Sequence, residues 1–171
     1  KLDAGIVEGD LFAFAPAAPF DAVLLDAPCS STGTVRRHPD VPWTKGPDDV
    51  AKLAALQARM LARAVALVKP GGLVVFSNCS LDPQEGEHLL RAFLRERGDV
   101  AAAPVSAGEF PFADPFLAEG GVVRTTPAGM AASTPSAAIP RASSIAPAFT
   151  IPSKRALMRR PSSARSGSMT I

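Results

Sequence analysis

Two cysteines, Cys29 and Cys79, are the side chains of this 171-residue sequence best suited to covalent chemistry. Cys29 lies in Asp26-Ala-Pro-Cys29-Ser-Ser-Thr-Gly33, directly after the apolar run Ala22-Val23-Leu24-Leu25. Cys79 lies in Ser77-Asn-Cys79-Ser80, directly after Leu73-Val74-Val75-Phe76. A thiol that ionises is a strong nucleophile and a good metal ligand, whereas one that does not is a small apolar filler. A lone cysteine at a strand end is more often the filler. Two at the ends of neighbouring strands, each followed by serine, face one cleft and favour reactivity. A redox pair is disfavoured, because the two are 50 residues apart with no Cys-x-x-Cys arrangement. Zinc would need Cys29, Cys79, His38 and His88 to converge, and no pair among them has the short spacing of structural sites. No metal is expected.

The elements that must position these thiols follow from pattern. The four apolar residues after Asp21 are rich in Val and Leu, which predicts a strand over 21–26 covered on both faces, as in a parallel sheet. Its carboxyl end carries Asp26 and Cys29, and in open α/β sheets that end is where ligands bind. Upstream, Ile6 and Val7 predict a short strand closing in Gly9-Asp10. The loop over 27–48 is longer than a passive connection, which favours a functional role. From an amino cap at Asp48 or Asp49 to Lys69, the residues Val50, Leu53, Leu56, Met60, Leu61, Ala64, Leu67 and Val68 recur at steps of three and four. That is an amphipathic helix, ended by Pro70-Gly71-Gly72.

A strand over 73–77 follows, and Asp82-Pro83 opens a second helix to about 97. There Asp82 is the cap, Pro83 takes the first position, Glu85 and Glu87 sit in the first turn, and Gly98 stops the helix. Residues 21–98 thus spell strand, helix, strand, helix, and the crossover rules make the two strands parallel neighbours. Gly120–Thr125 offers one further strand. After about residue 128 Ala, Ser, Pro and Thr dominate without periodicity, which reads as a disordered or non-native tail. The expected division is a folded region over 1–127 and a low-complexity tail over 128–171.

Charge divides the same way. Residues 131–171 hold six bases and no acid, which leaves 12 bases against 16 acids in residues 1–130. The net charge of +2 therefore belongs to the tail and is weak evidence for nucleic-acid binding by the folded part. Two cysteines are too few for a secreted disulfide framework, and neither a signal peptide nor an apolar run of membrane-spanning length is visible. The expectation is a cytoplasmic monomer with no membrane association.

The motifs now carry a resemblance. Asp26-Ala-Pro-Cys29-Ser-Ser-Thr-Gly33 resembles the Asp-Ala-Pro-Cys-Ser-Gly-Thr-Gly motif of the Nol1/Nop2/Sun family of RNA (cytosine-5)-methyltransferases. Ser77-Asn-Cys79-Ser-Leu-Asp-Pro-Gln-Glu-Gly-Glu87 resembles its Thr-Cys-Ser-Leu motif, and Arg37-His38-Pro39-Asp40, Trp43 and Lys69-Pro70-Gly71-Gly72 also fit. The likeness covers roughly residues 5–125. It implies a Rossmann-like α/β sheet and transfer of a methyl group from S-adenosylmethionine to C5 of cytosine in RNA, ribosomal RNA in the first place. Because C5 is a poor nucleophile, a thiolate first adds to C6.

By the same resemblance Cys79 matches the nucleophile, and Cys29 the second cysteine, which aids product release. Asp26 matches a carboxylate between cofactor and base; its other reading is a turn aspartate. Asp10 and Pro28 match cofactor contacts, and Asp10 reads equally well as an ordinary turn residue. Arg36, Arg37 and Lys45 meet RNA phosphate or form a solvated face.

Departures qualify the match. Ser31 stands where the family has Gly, and Asn78 where it has Thr. The family's Gly-rich cofactor loop and ribose-holding acid lie upstream of Lys1, so a fragment with an incomplete cofactor site is expected. In the family's strand order, 3-2-1-4-5-7-6, the strand at 21–26 then lacks one neighbour. The abrupt change of composition near residues 128–131 fits a shifted reading frame. A reading of another class is a non-catalytic RNA-binding or interaction remnant that uses the 27–48 loop and the basic tail.

Overall fold

The computed structural model describes residues 4–109, 114–118, 122–125, 145–146 and 148–150. Strand β1 (Phe20–Asp26) leads through a 3-10 turn (Thr32–Thr34) and the short helix α1 (Val41–Thr44) into helix α2 (Pro47–Leu67) and strand β2 (Val68–Ser77). A second 3-10 turn (Pro83–Glu85) opens helix α3 (Glu87–Glu96), and the strands β3 (Ala101–Ala103), β4 (Val123–Arg124), β5 (Ile145–Ala146) and β6 (Ala148–Thr150) follow. The main sheet has the order β1-β2-β6-β3, and β4 pairs with β5. β1 and β2 run parallel, as the strand-helix-strand pattern requires, with Leu24 opposite Val75 and Asp26 opposite Ser77.

Side-chain alternation on this pair decides what is buried. Leu25, Ala27, Val74 and Phe76 point to one face, where Leu61, Ala64 and Val65 of α2 and Leu89, Leu90 and Phe93 of α3 close the core. The other face of β1 is open: Leu24 is 72% exposed. The expectation of a strand covered on both faces is corrected here, because α2 and α3 contribute to the same core cluster. Among the described residues β1 also has a single neighbour, β2, so it forms the edge of the sheet.

The upstream strand is not formed. Ile6 and Val7 are 96% and 73% exposed, in irregular backbone. A strand is a pairing, and no described segment lies alongside to supply one. The segment that follows is docked on α2 instead: Arg63 donates to the carbonyls of Leu11 and Phe14, and the Arg59 guanidinium sits 4.8 Å over the Phe12 ring.

Helix boundaries shift for identifiable reasons. The cap of α2 is Gly46, not Asp48 or Asp49; Pro47 takes the first position, and the Asp49 carboxylate accepts from the Gly46 N–H at 3.0 Å. The helix ends at Leu67, and β2 begins at once. Its residues Lys69–Gly72 bulge out of register, since Phe20 pairs with Val68 while Ala22 pairs with Leu73. Gly71 has φ +86°, and a Cβ on Gly72 would stand 2.5 Å from the Asp21 carbonyl oxygen and 2.4 Å from a Val68 methyl. Gly72→Ala is therefore expected to cost about 2 kcal/mol, from overpacking against paired backbone that cannot yield. Chemical denaturation against the parent chain checks it.

The second helix is split. Asp82 caps as expected, accepting from Gln84 N at 2.8 Å, but a 3-10 turn and Gly86 (φ −127°, ψ −109°) separate it from α3. Within the tail, 145–146 and 148–150 form strands, and β6 pairs antiparallel with both β2 and β3. Residues 120–121 of the expected 120–125 strand, and the rest of the tail, lie outside the described residues.

Candidate active site

The carboxyl ends of β1 and β2 deliver the two cysteines to one place. Ala27 extends the ladder by donating to the Ser77 carbonyl at 2.9 Å, and Gly33 N donates to the Cys79 carbonyl at 2.9 Å. Between these two ties the Cys29 loop folds over the end of β2. The thiols are free, half-buried and 3.2 Å apart, Sγ to Sγ. Burial, and then the hydrogen bond with Cys79, push the Cys29 thiol up to about 11. Cys29 is thus a proton-bearing thiol at neutral pH, placed against its partner's sulfur.

Beneath the pair lies a buried polar network. Glu85 is fully buried, and its carboxylate accepts from Ser30 N at 2.9 and 3.2 Å, from the Ser30 hydroxyl, and from Gln57 Nε2 at 2.9 Å. Gln57 Nε2 also reaches the Pro28 carbonyl at 2.9 Å. Asn78 spans the same region: its Nδ2 donates to the Glu85 carbonyl at 2.7 Å, and its Oδ1 accepts from Ser80 N at 2.9 Å. The Ser80 hydroxyl lies 3.1 Å from both the Ser30 and Thr32 hydroxyls. The serine after each cysteine is therefore a strut joining the two loops, and Glu85 is the acceptor that gathers them. A buried carboxylate survives only with such a set of donors.

The other expected residues are placed as follows. Asp26 is exposed at the end of β1, and its Oδ1 accepts from the Ser77 hydroxyl at 3.1 Å. Pro28 is exposed beside Cys29. Asp10 is exposed in the upstream turn, where its Oδ1 accepts from Phe12 N at 2.9 Å and its carbonyl accepts from Ala13 and Phe14. Its visible hydrogen bonds are those of a turn aspartate. Arg36, Arg37, His38 and Lys45 are all exposed, and Trp43 beside them is 88% exposed. His88 is exposed on α3, and among the described residues no three His, Cys, Asp or Glu side chains converge as a metal site. No helix of the described residues is long and apolar enough to cross a membrane.

Sequence pattern does not announce Ser30, Gln57, Asn78, Ser80 and Glu85 as one cluster. One signal existed: Gln57 falls four residues after Leu53 and four before Leu61, on the apolar stripe of α2. A polar residue in such a stripe needs a buried partner.

A parallel strand pair with helices over one face, and a two-thiol site at its carboxyl edge, defines part of a Rossmann-like methyltransferase fold. Solved structures agree: the crystal structure of PH0851 superimposes with a TM-score of 0.61 at 29% identity, over 76% of this chain and 26% of that one. A methyltransferase homolog from Pyrococcus horikoshii gives a TM-score of 0.52 at 28% identity, over 77% of this chain and 39% of that one. Residues 2–129 match the family described as 16S rRNA methyltransferase RsmB/F, and the chain belongs to that family of RNA methyltransferases. Ribosomal RNA small subunit methyltransferase B of Salmonella newport (strain SL254) is 44% identical over 92 residues, which are 54% of this chain and 21% of that protein. The chain thus spans about a fifth of the length of that relative.

Proposed function

We propose that this chain carries the thiol centre of an S-adenosylmethionine-dependent RNA (cytosine-5)-methyltransferase acting on ribosomal RNA, in a cytoplasmic monomer. The observation that carries the reading is the pair of free sulfurs 3.2 Å apart at the ends of adjacent parallel strands. Residues 1–127 are then part of the catalytic domain.

The Cys79 thiolate adds to C6 of an unpaired or flipped cytosine, which makes C5 electron-rich. When bound, S-adenosylmethionine supplies the electrophilic methyl group that C5 takes up. Loss of the C5 proton to water and cleavage of the C6–S bond then release 5-methylcytosine and return Cys79. The raised ionisation of Cys29 suits it to this last step, as a thiol that hydrogen-bonds to the departing sulfur. Asp26 and Pro28, exposed at the strand end, are the residues of this chain that fit the edge of a cofactor and base pocket, the carboxylate of Asp26 accepting from N–H or O–H donors. Asp10 fits less well, since one carboxylate oxygen already closes its own turn.

Incubating the chain with cofactor and an RNA carrying 5-fluorocytosine tests the reading. The fluorine blocks loss from C5, so a covalent protein–RNA species is expected from the parent chain and none from Cys79→Ala. A folded parent chain that forms no such species sinks it.

A second reading has its own observation. Trp43 and the bases Arg36, Arg37 and Lys45, all exposed within residues 36–45, offer stacking and phosphate contacts without chemistry. Under that reading RNA binds and the covalent species is absent.

A further inference from the structure

Ser31 is the one non-glycine residue among the described residues with positive φ, at 61°. Side chains avoid this left-handed region, which costs roughly 1–2 kcal/mol. The conformation is held from both sides. Glu85 fixes the N–H of Ser30, and the Ser31 carbonyl accepts from Thr34 N at 2.9 Å and from the Thr34 hydroxyl at 2.8 Å. Glycine would relieve the strain, and glycine is what the related motif carries at this place. A serine kept there brings in the one group that glycine lacks. Its Oγ lies 3.4 Å from the Cys79 sulfur and 4.0 Å from the Cys29 sulfur.

We infer that Ser31 is a positioning residue whose hydroxyl donates a hydrogen bond to the ionised sulfur of Cys79, and so makes Cys79 rather than Cys29 the thiolate of the pair. The inference rests on the reading of Cys79 as nucleophile and deepens it. Among the described residues, two groups hydrogen-bond with the Cys79 sulfur. Cys29 offers a thiol at 3.2 Å, and Ser31 the hydroxyl. The nearby carboxylates are spoken for, Asp26 by Ser77 and Glu85 by Ser30 and Gln57. In the thiol form Cys79 donates to Ser31 Oγ. Once the proton leaves for solvent, the hydroxyl rotates about Cβ–Oγ and donates in return, stabilising the charge. The longer separation from Cys29 makes the effect unequal. Burial, which holds Cys29 protonated, acts in the same sense.

The test is the pH dependence of iodoacetamide alkylation, read for each cysteine by peptide mass spectrometry on the parent chain, Ser31→Ala and Ser31→Gly. Both variants lack the hydroxyl, so the Cys79 midpoint is expected to rise by about one pH unit in each, roughly tenfold slower labelling at neutral pH. The Cys29 profile is expected to move by clearly less, since its sulfur lies farther from the hydroxyl. The two variants differ in strain: Ser31→Gly is expected to melt higher than Ser31→Ala. A merely structural role would make the alkylation shift follow the melting order. A Cys79 midpoint that is unmoved in either variant, or that moves only in Ser31→Ala, overturns the inference. The assay involves neither RNA nor methyl transfer. Its failure would leave the covalent-adduct reading of Cys79 standing, and failure of that reading would leave the alkylation result intact.

Discussion

Glu85→Ala is expected to destabilise the chain by about 3–4 kcal/mol. The cause is the acceptor count. Glu85 takes hydrogen bonds from Ser30 N, the Ser30 hydroxyl and Gln57 Nε2, and all of these lie out of water. Removing the carboxylate strands them, and each unmet buried donor costs about 1–3 kcal/mol. A domain with a total stability of about 5–15 kcal/mol feels such a loss as a large drop in melting temperature. Glu8→Ala, on an exposed acid of the upstream segment, is the control and is expected to stay within about 0.5 kcal/mol. The consequence for function is geometric. Ser30 ties the Cys29 loop to Glu85, and Asn78 ties the end of β2 to the backbone of the same residue. Alanine keeps the carbonyl that holds Asn78 but removes the carboxylate that holds Ser30, so the Cys29 loop loses its anchor while the end of β2 keeps its own, and alkylation of Cys29 should quicken more than that of Cys79. A melting temperature within error of the parent chain would show that the network is not what holds the loops.

The visibility of the fold in the sequence follows the range of the interactions. Both cysteine motifs, the parallel pairing of β1 with β2, the run of α2 and the Asp82 cap rest on local patterns, and they are found where those patterns place them. What depends on distant partners was opaque. Glu85 has every local mark of a helix first-turn acid, yet it folds inward to meet Ser30, 55 residues away, and Gln57, 28 away. The all-alanine strand β3 has no strand propensity, and its place is set by pairing with β6. Ile6 and Val7 show the converse: strand-forming residues with nothing to pair against remain in irregular backbone. Burial of β1 was overestimated for a similar reason, since an unbroken apolar run does not say how many layers cover it. The serine at position 31 is legible only when its φ is known, because in sequence it passes for one more small polar turn residue.

Replacing Cys29 by alanine is expected to trap, rather than prevent, the covalent intermediate. On the proposed mechanism Cys79 keeps its sulfur and still adds to C6, so formation of the adduct is expected to survive. The departing sulfur, however, loses the S–H that stands 3.2 Å away. General acid assistance of this kind is worth about 10²–10⁴-fold, so release should slow by at least about 10²-fold, and a protein–RNA species stable to denaturation should build up on ordinary cytosine RNA in the presence of cofactor. The double variant Cys29→Ala, Cys79→Ala should form none. The same substitution has a second signature, in alkali. Cys29 titrates at about 11 when folded against an ordinary 9.0, so between those values the folded chain holds a proton that the unfolded chain has released. Stability attributable to Cys29 is therefore complete below pH 9.0 and lost as pH rises towards 11. In Cys29→Ala that alkaline decline should flatten, which melting curves across the interval will register. Unchanged turnover with no accumulated adduct would remove Cys29 from the release step. An unaltered alkaline decline would show that its proton is not held by the fold.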